Sequence, residues 1–425
     1  MLKTKLMWLP RTIFPKIWEK IDSEEILLLN GARQVGKTTI LKMIGEKLVS
    51  EKKIDPKKIH WFDLEDANDL ANWSEQNSIF PLLPLDDKEK HYIFIDEFQR
   101  SKNIGSILKV LHDHHPNLKI IITRSASWYL NIDESLVGRK QVFEIWPLNF
   151  EEFVLWQNDT NFSALYNQAK NNIKTTPQKI IEAINQRFLD FLRFGGYPAV
   201  ILRKTKEEKI VVLTELLNAY LTRDIQLWNY AANTLQVKKI LTLLASFVGS
   251  PLNISNLSKN AEISRTITQN RLELLQNTFI LHLISPYFSN KTRELTKSPK
   301  VYLVDNGLRN ILLSNFSVLP QTADFGYLVE NFVAGELLKK SSAIEQILFW
   351  QTIQGQEVDI VKKSENIILP IEIKSGAEKS ISSGLKLFIF RYNPTTAYLL
   401  NWSTVKNIKH NDTEILFRPL WFPIK

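Results

Sequence analysis

Residues 24–40 read EEILLLNGARQVGKTTI, and this run limits what the chain can fold into more than any other. A short apolar stretch, ILLL, leads into a polar glycine loop and then into the helix-like LKMIGEKLVSEKK. The loop, Gly31 to Thr38, satisfies G-x-x-x-x-G-K-[ST] at every required position, with a strand before it and a helix after it. Further strand-like runs follow at KIHWFDLE (58–65), HYIFIDE (91–97), LKIIIT (118–123) and QVFEIWPL (141–148). Helical patterns such as IGSILKVLHDHH (104–115) separate them. Strands alternating with helices predict a mostly parallel sheet covered on both faces.

Such a loop cradles phosphates with its backbone N–H groups, and the following helix adds its positive end. The candidate nucleotide-binding residues are therefore Gly31, Ala32, Arg33, Gln34, Val35, Gly36, Lys37, Thr38 and Thr39. The whole chain has 14 glycines, so two at the required loop positions are not background. Lys37 is placed to reach the β- and γ-phosphates, and Thr38 to offer its hydroxyl to Mg²⁺. IFIDE (93–97) is an apolar strand ending in two carboxylates. Asp96 is expected to hold Mg²⁺ and Glu97 to polarise the attacking water. ATP and Mg²⁺ are thus the expected cofactors.

The next strand ends IIITRSASW, where Thr123 or Ser125 is placed to sense the γ-phosphate. The plainer alternative is a helix cap formed by Ser125 or Ser127. Arg139, in SLVGRK, and Arg223, in YLTRD, are candidate arginine fingers for their own site or a neighbouring subunit's. The second case requires a homo-oligomer. A surface ion pair is the competing reading of each arginine.

With 425 residues the chain is too long for one compact core, and two to four domains are expected. It has no run of about 18 apolar residues, so no transmembrane helix and no membrane role are expected. The basic N-terminus, MLKTKLMWLPRTIFPK, lacks the apolar core and cleavage site of a signal peptide. There are no cysteines, which excludes disulfides, thiolate metal sites and cysteine nucleophiles and is compatible with a reducing cytoplasm. The formal charge of +9, from 54 basic and 45 acidic residues, favours polyanionic partners modestly.

After about residue 150 the pattern turns helical, as in KIIEAINQRFLDFLRF and TELLNAYLTRDIQLW, with the turn FGGYPAV at 194–200 between them. Residues 253–276, NISNLSKNAEISRTITQNRLELLQ, read as helix, tight turn, helix, with Ile254, Leu257, Ile263, Ile267 and Leu275 facing one small core. FILHLISPYF (279–288) reads as a strand pair or wing. The second helix would expose Arg265, Thr266, Thr268, Gln269 and Arg271 toward DNA phosphates and base edges. A winged helix can equally pack on an ATPase lid or bind a protein partner.

Near the C-terminus, QEVDIVKKSENIILPIEIKSG (356–376) sets Asp359, Glu372 and Lys374 within apolar, strand-like runs. Buried charges are costly unless paired, hydrogen-bonded or bound to metal. Alternate residues of a strand share a face, so Glu372 and Lys374 point one way, and Asp359 on the preceding strand can meet them. Upstream, GYLVENFVAGELLKK (326–340) reads as a helix whose Glu330, chosen over Glu336 for its place in GYLVEN, can complete the cluster.

The ordered set GARQVGKTT, IFIDEFQR, IIITRSAS, SLVGR and WPLNFEEF resembles a bacterial and archaeal family of AAA-type ATPases. FGGYPAV, YLTRDI, VYLVDNGLRN, GYLVENFVAGELL, EVDIV and PIEIKSG resemble that family's C-terminal part, so the likeness covers nearly the whole chain. Arg124 departs from it, standing where the family usually has glycine, and a large cation there bears directly on the sensor strand. The acid on a helix, the aspartate on one strand and E-x-K on the next resemble the PD-(D/E)XK nuclease superfamily. QEVDIV lacks the usual leading proline. That likeness implies Glu330, Asp359 and Glu372 as metal ligands, with Glu372 and Lys374 catalytic. An ion-paired hairpin and an inherited fold without activity stay open beside an active nuclease.

The implied architecture is α/β multidomain. It has a P-loop AAA-type parallel-sheet ATPase (1–150), a helical lid or linker (151–235), a winged-helix-like domain (236–292) and an α/β restriction-endonuclease-like domain (293–425). The expected function is ATP hydrolysis coupled to a DNA-binding, metal-dependent nuclease domain. The alternative is an ATP-dependent switch or scaffold with an inactive docking domain and a protein partner.

Overall fold

In the computed structural model, residues 9–125, 135–224, 234–288, 298–365 and 367–424 are described. The chain divides into two compact units, Met1–Trp146 with Asn277–Phe279, and Pro147–Gln276 with Ile280–Lys425.

In the first unit, β1 (Ile26–Gly31), β2 (Ile59–Asp63), β3 (His91–Asp96), β4 (Leu118–Ser125) and β5 (Lys140–Glu144) form an all-parallel sheet in the order β2-β3-β4-β1-β5. Every residue of β1 and β4 is buried, as strands covered on both faces require. Helix α1 (Lys37–Ser50) turns Ile40, Leu41, Ile44 and Leu48 inward. Helix α2 (Ile104–His114) does the same with Ile104, Ile107, Leu108 and Leu111. Three- and four-residue spacing makes one apolar stripe on each helix. Ile93, Ile95, Ile120, Ile122, Phe98 and Leu108 share one core layer. Each side chain of this kind contributes roughly 1.5–3 kcal/mol by leaving water. The sheet's purpose here is positional: the C-terminal ends of β1, β3 and β4 lie side by side.

The second unit begins with helices. α3 (Gln178–Phe194) buries Ile181, Ile184, Phe188 and Phe191, and Phe150, Phe188 and Phe191 all meet Phe332 edge-on. Then come α4 (Thr234–Ser246), α5 (Ile254–Ala261) and α6 (Arg265–Asn277). β6 (Leu281–Ile284) follows and pairs antiparallel with β7 (Lys300–Leu303). FILHLISPYF therefore supplies one strand of this pair rather than both.

The face of α6 also differs from the sequence reading. Thr268 is fully buried, Arg271 is buried, and Ile267 is 38% exposed. The inward positions are Thr268, Arg271, Leu272, Leu274 and Leu275, so Leu275 packs as expected while Thr268 takes the place read for Ile267. Threonine is tolerated there because its hydroxyl donates to the Ser264 carbonyl at 3.0 Å. Arg265, Thr266 and Gln269 remain exposed.

α7 (Asn306–Leu312) is capped by Asp305, whose Oδ1 accepts from the Gly307 and Leu308 amides. Its Oδ2 accepts from the Gly196 amide at 2.6 Å and so anchors the FGGYPAV turn. α8 (Ala323–Lys340) leads to β8 (Glu345–Gln351), β9 (Glu357–Ser364), β10 (Ile367–Ile373), α9 (Ser383–Tyr392), β11 (Thr396–Asn401), β12 (Lys406–His410) and β13 (Thr413–Pro419). The six strands form one mixed sheet, ordered β12-β13-β11-β10-β9-β8. Its two parallel pairings are β10 with β11 and β11 with β13. α9 packs Leu385, Phe388 and Ile389 on Val358, Val361, Leu399 and Phe417. Among the described residues, no helix is long and apolar enough to cross a membrane.

Candidate functional site

The loop after β1 is shaped by backbone conformations that few residues adopt. Gln34 has φ +57° and Gly36 has φ +97°. The Gly36 value is ordinary only for glycine. Arg11 holds this turn from outside: its guanidinium donates to the Val35 carbonyl and to the Trp146 carbonyl, each at 2.7 Å. Arg11 is itself buried. It escaped the sequence reading because it lies in a basic N-terminal stretch with no motif around it.

Lys37 is 4% exposed, and its ammonium donates to the Gly31 carbonyl at 3.1 Å, the Ala32 carbonyl at 2.8 Å and Ser125 Oγ at 2.7 Å. It thus lies across the mouth of the loop, where a phosphate would replace the carbonyls as its partner. Thr38 Oγ1 donates to Asp96 Oδ2 at 2.6 Å. Two oxygen donors meeting this closely at a helix start fit a hard cation such as Mg²⁺. Thr39 is exposed beside them, and Arg33 leans toward Glu65 at 3.8 Å.

β4 contributes two hydroxyls to the same place. Thr123 Oγ1 donates to Asp96 Oδ1 and accepts from the Glu97 amide at 3.0 Å. Ser125 Oγ accepts from Lys37 and donates to Glu97 Oε1, while Gln99 Nε2 donates to Glu97 Oε2. Glu97 has φ +53°, a strained conformation for a residue with a side chain, and such strain concentrates at functional sites. Thr123 and Ser125 point into the site because alternate strand positions share a face. Arg124 points to the other face and reaches Asn30 Oδ1 on β1 at 3.3 Å, so it does not displace the two hydroxyls.

Arg139 does not join this group. It forms a two-pronged pair with Asp113, at 2.7 and 2.8 Å, which holds the Asp113 carboxyl well below the ordinary range. Its own carbonyl accepts from Ile26, at the start of β1 and the opposite end of that strand from the loop. The arginine-finger assignment in its own chain is therefore corrected to a surface ion pair. Ser127 and the side chain of Arg223 lie outside the described residues.

Residues 23–154 match the family described as "AAA domain". The match supports an AAA-type P-loop ATPase. The five-stranded parallel sheet within the matched residues fits an α/β P-loop ATPase. Residues 185–318 and 325–416 match two families each described as "Domain of unknown function", DUF8612 and DUF4143. An uncharacterized protein of Methanocaldococcus jannaschii is 28% identical over 82% of this chain and 74% of its own length. One from Haemophilus influenzae is 24% identical over 83% of each chain. A DNA polymerase III gamma subunit-related protein of Thermotoga maritima aligns at 14% identity over 62% of this chain and 97% of its own, with a TM-score of 0.27. C. elegans PCH-2 aligns at 13% identity over 62% of this chain and 70% of its own, with a TM-score of 0.28.

In the second unit, the antiparallel register of β9 and β10 runs to Ile360 opposite Ile371, and the next positions are Asp359 and Glu372. Both carboxylates are buried. Asp359 Oδ2 accepts from the Ile373 amide at 2.7 Å. Burial, then the nearby Glu372 and Glu330 charges, push the Asp359 carboxyl well above its ordinary range. Lys374 Nζ lies 2.6 Å from Glu372 Oε1, and Glu372 Oε2 has no hydrogen-bond partner among the described residues. Of the two acids on α8, it is Glu330 that neighbours Asp359. Glu336 instead accepts from the Phe150 amide at 3.2 Å. Glu330 Oε1 accepts from Tyr302 Oη at 2.7 Å and from Lys300 Nζ at 3.5 Å. Among the described residues, no group of three or more His, Cys, Asp or Glu is placed to hold a metal ion. As they stand, Glu330, Asp359 and Glu372 do not form such a group, and Glu330 is engaged by a hydroxyl and an ammonium.

Proposed function

We propose that the chain is an ATP-hydrolysing switch whose second unit binds DNA without cutting it. The observation that carries the ATPase reading is the 2.6 Å contact between Thr38 and Asp96, made beside the buried Lys37 ammonium. Lys37 would exchange loop carbonyls for β- and γ-phosphate oxygens, while the loop's N–H groups take the remaining phosphate charge. Thr38 and Asp96 would hold Mg²⁺, which supplies charge neutralisation on the transferring phosphoryl group. Glu97 would orient and polarise the attacking water once released from Ser125 and Gln99. Thr123 holds Asp96 and the Glu97 amide together, which makes it a positioning residue in this scheme.

The DNA reading rests on the +9 charge and on the order α4, α5, α6, β6, β7, which is that of a winged helix, with Arg265, Thr266 and Gln269 exposed on α6. The reading without cleavage rests on the pairing of Glu330 and Glu372 with lysines. ATP turnover would bias a DNA-binding state only through contacts that differ between bound nucleotides.

The test is phosphate release by the full chain with and without duplex and single-stranded DNA. Lys37→Ala should abolish turnover; an unchanged rate overturns the ATPase assignment. Glu97→Gln should slow hydrolysis by roughly 10²–10⁴-fold and retain bound ATP. DNA cut in Mg²⁺ or Mn²⁺ by the parent chain, but not by Asp359→Ala, would restore the nuclease reading. Capture of a protein instead of DNA would replace the partner class.

A further inference from the structure

We infer that the Lys300 ammonium is the resident cation of the C-terminal carboxylate cluster, and that the cluster consequently takes up no divalent metal. The inference concerns the same cluster as the non-cleaving reading above and rests on its assignment there.

Lys300 opens β7, and its side chain is 3% exposed. Its Nζ lies 3.5 Å from Glu330 Oε1 and 3.5 Å from Glu357 Oε2, and thus between an acid on α8 and one on β9. A lysine this thoroughly removed from water would ordinarily lose its proton more readily. Here two carboxylates within 3.5 Å, Glu330 and Glu357, supply the opposite charge that favours keeping a buried ammonium charged. The acids hold the cation, and the cation holds the acids.

The same geometry explains Glu330. Its carboxylate packs against the backbone at Gly249, where an added Cβ would lie 2.8 Å from Oε2. Gly249 has φ +76° and its amide donates to the Val301 carbonyl on β7. Backbone closes one side of the carboxylate and Tyr302 with Lys300 closes another. Glu330 would have to give up these contacts to become a metal ligand.

The carboxylates already have cations beside them without a metal: Glu330 and Glu357 flank Lys300, and Glu372 pairs with Lys374. A buried divalent ion would leave two ammonium groups facing it at close range, a like-charge arrangement that costs far more in the interior than in water.

The experiment measures Mn²⁺ binding to the nucleotide-free full chain by electron paramagnetic resonance, in an Asp96→Asn background that silences the first unit. That parent should bind no Mn²⁺ tightly. Removing the resident cation, by Lys300→Ala or Lys300→Gln, should tighten Mn²⁺ binding by roughly tenfold or more. Adding Asp359→Asn should abolish the gained site. Melting curves establish that each variant is folded. A parent site that binds Mn²⁺ and is lost with Asp359→Asn overturns the inference. So does the absence of any gain in both folded Lys300 variants. DNA binding is measured on the same parent: its loss would sink the functional reading while leaving the Mn²⁺ result to judge Lys300.

Discussion

Thr38 Oγ1 and Asp96 Oδ2 meet at 2.6 Å although 58 positions separate them in the chain. One opens α1 and the other ends β3, so the parallel sheet alone brings them together. Thr38→Val keeps the shape and removes the hydroxyl. ATP turnover by this variant should require roughly 10–100-fold more Mg²⁺, while the melting temperature changes little. A Mg²⁺ titration of phosphate release checks it.

Arg11 connects the loop's Val35 carbonyl to that of Trp146. In Arg11→Ala both carbonyls lose a charged donor, at about 1–3 kcal/mol for each group left buried and unpaired. The KM for ATP should rise by about tenfold or more as the loop loses its set, with a smaller change in kcat. Arg11→Lys, which can keep one of the two bonds, should fall between. Steady-state kinetics with a parallel melt separate loop positioning from loss of fold.

His282, on β6, has its pKa lowered to about 4 by burial and by the nearby Lys339 charge. Unfolded, the same imidazole titrates near 6.5. The unfolded chain therefore binds the extra proton between these values, and stability falls as pH drops from 6.5 toward 4. Above 6.5 this contribution is fully present and flat. The slope from this one group is at most about 1.4 kcal/mol per pH unit. Urea midpoints at pH 7, 6 and 5 should decline in the parent and decline less in His282→Gln.

Arg265 and Arg271 sit six positions apart on α6, the first exposed and the second buried. Arg265→Ala should weaken DNA binding at every sequence and lower the salt slope by about 1. Arg271→Ala should instead lower folding stability by about 1–3 kcal/mol. Anisotropy of labelled DNA across a salt series, beside urea melts, tells the two effects apart.

Much of the first unit was readable because its chemistry is local. The phosphate loop lies within eight consecutive residues, and IFIDE carries both carboxylates at a strand end. What escaped depends on distance along the chain. Arg11 meets Trp146 across 135 positions, and no local pattern marks either. Within its own chain Arg139 stands apart from the loop because a motif neighbour is not a spatial neighbour: it pairs with Asp113. On α6 an apolar count chose Ile267, whereas the packing chose Thr268, whose methyl fits the core and whose hydroxyl bonds back to its own helix. The E-x-K pair was legible from strand alternation. Lys300 was not, since a single lysine entering VYLVDNGL gives no sign that acids await it.

β7 carries a consequence for how the chain can be cut. Lys300 and Tyr302, the two side chains that satisfy Glu330, lie upstream of the DUF4143 match that begins at residue 325. A protein expressed from that boundary would lack β7 and the Gly249 backbone that pack on Glu330, opening the surface of α8 that they cover to water. The two matched segments are thus separate in name but indivisible as material. Swapped, shuffled or truncated at the seam between them, either half would arrive with an open wound in its core.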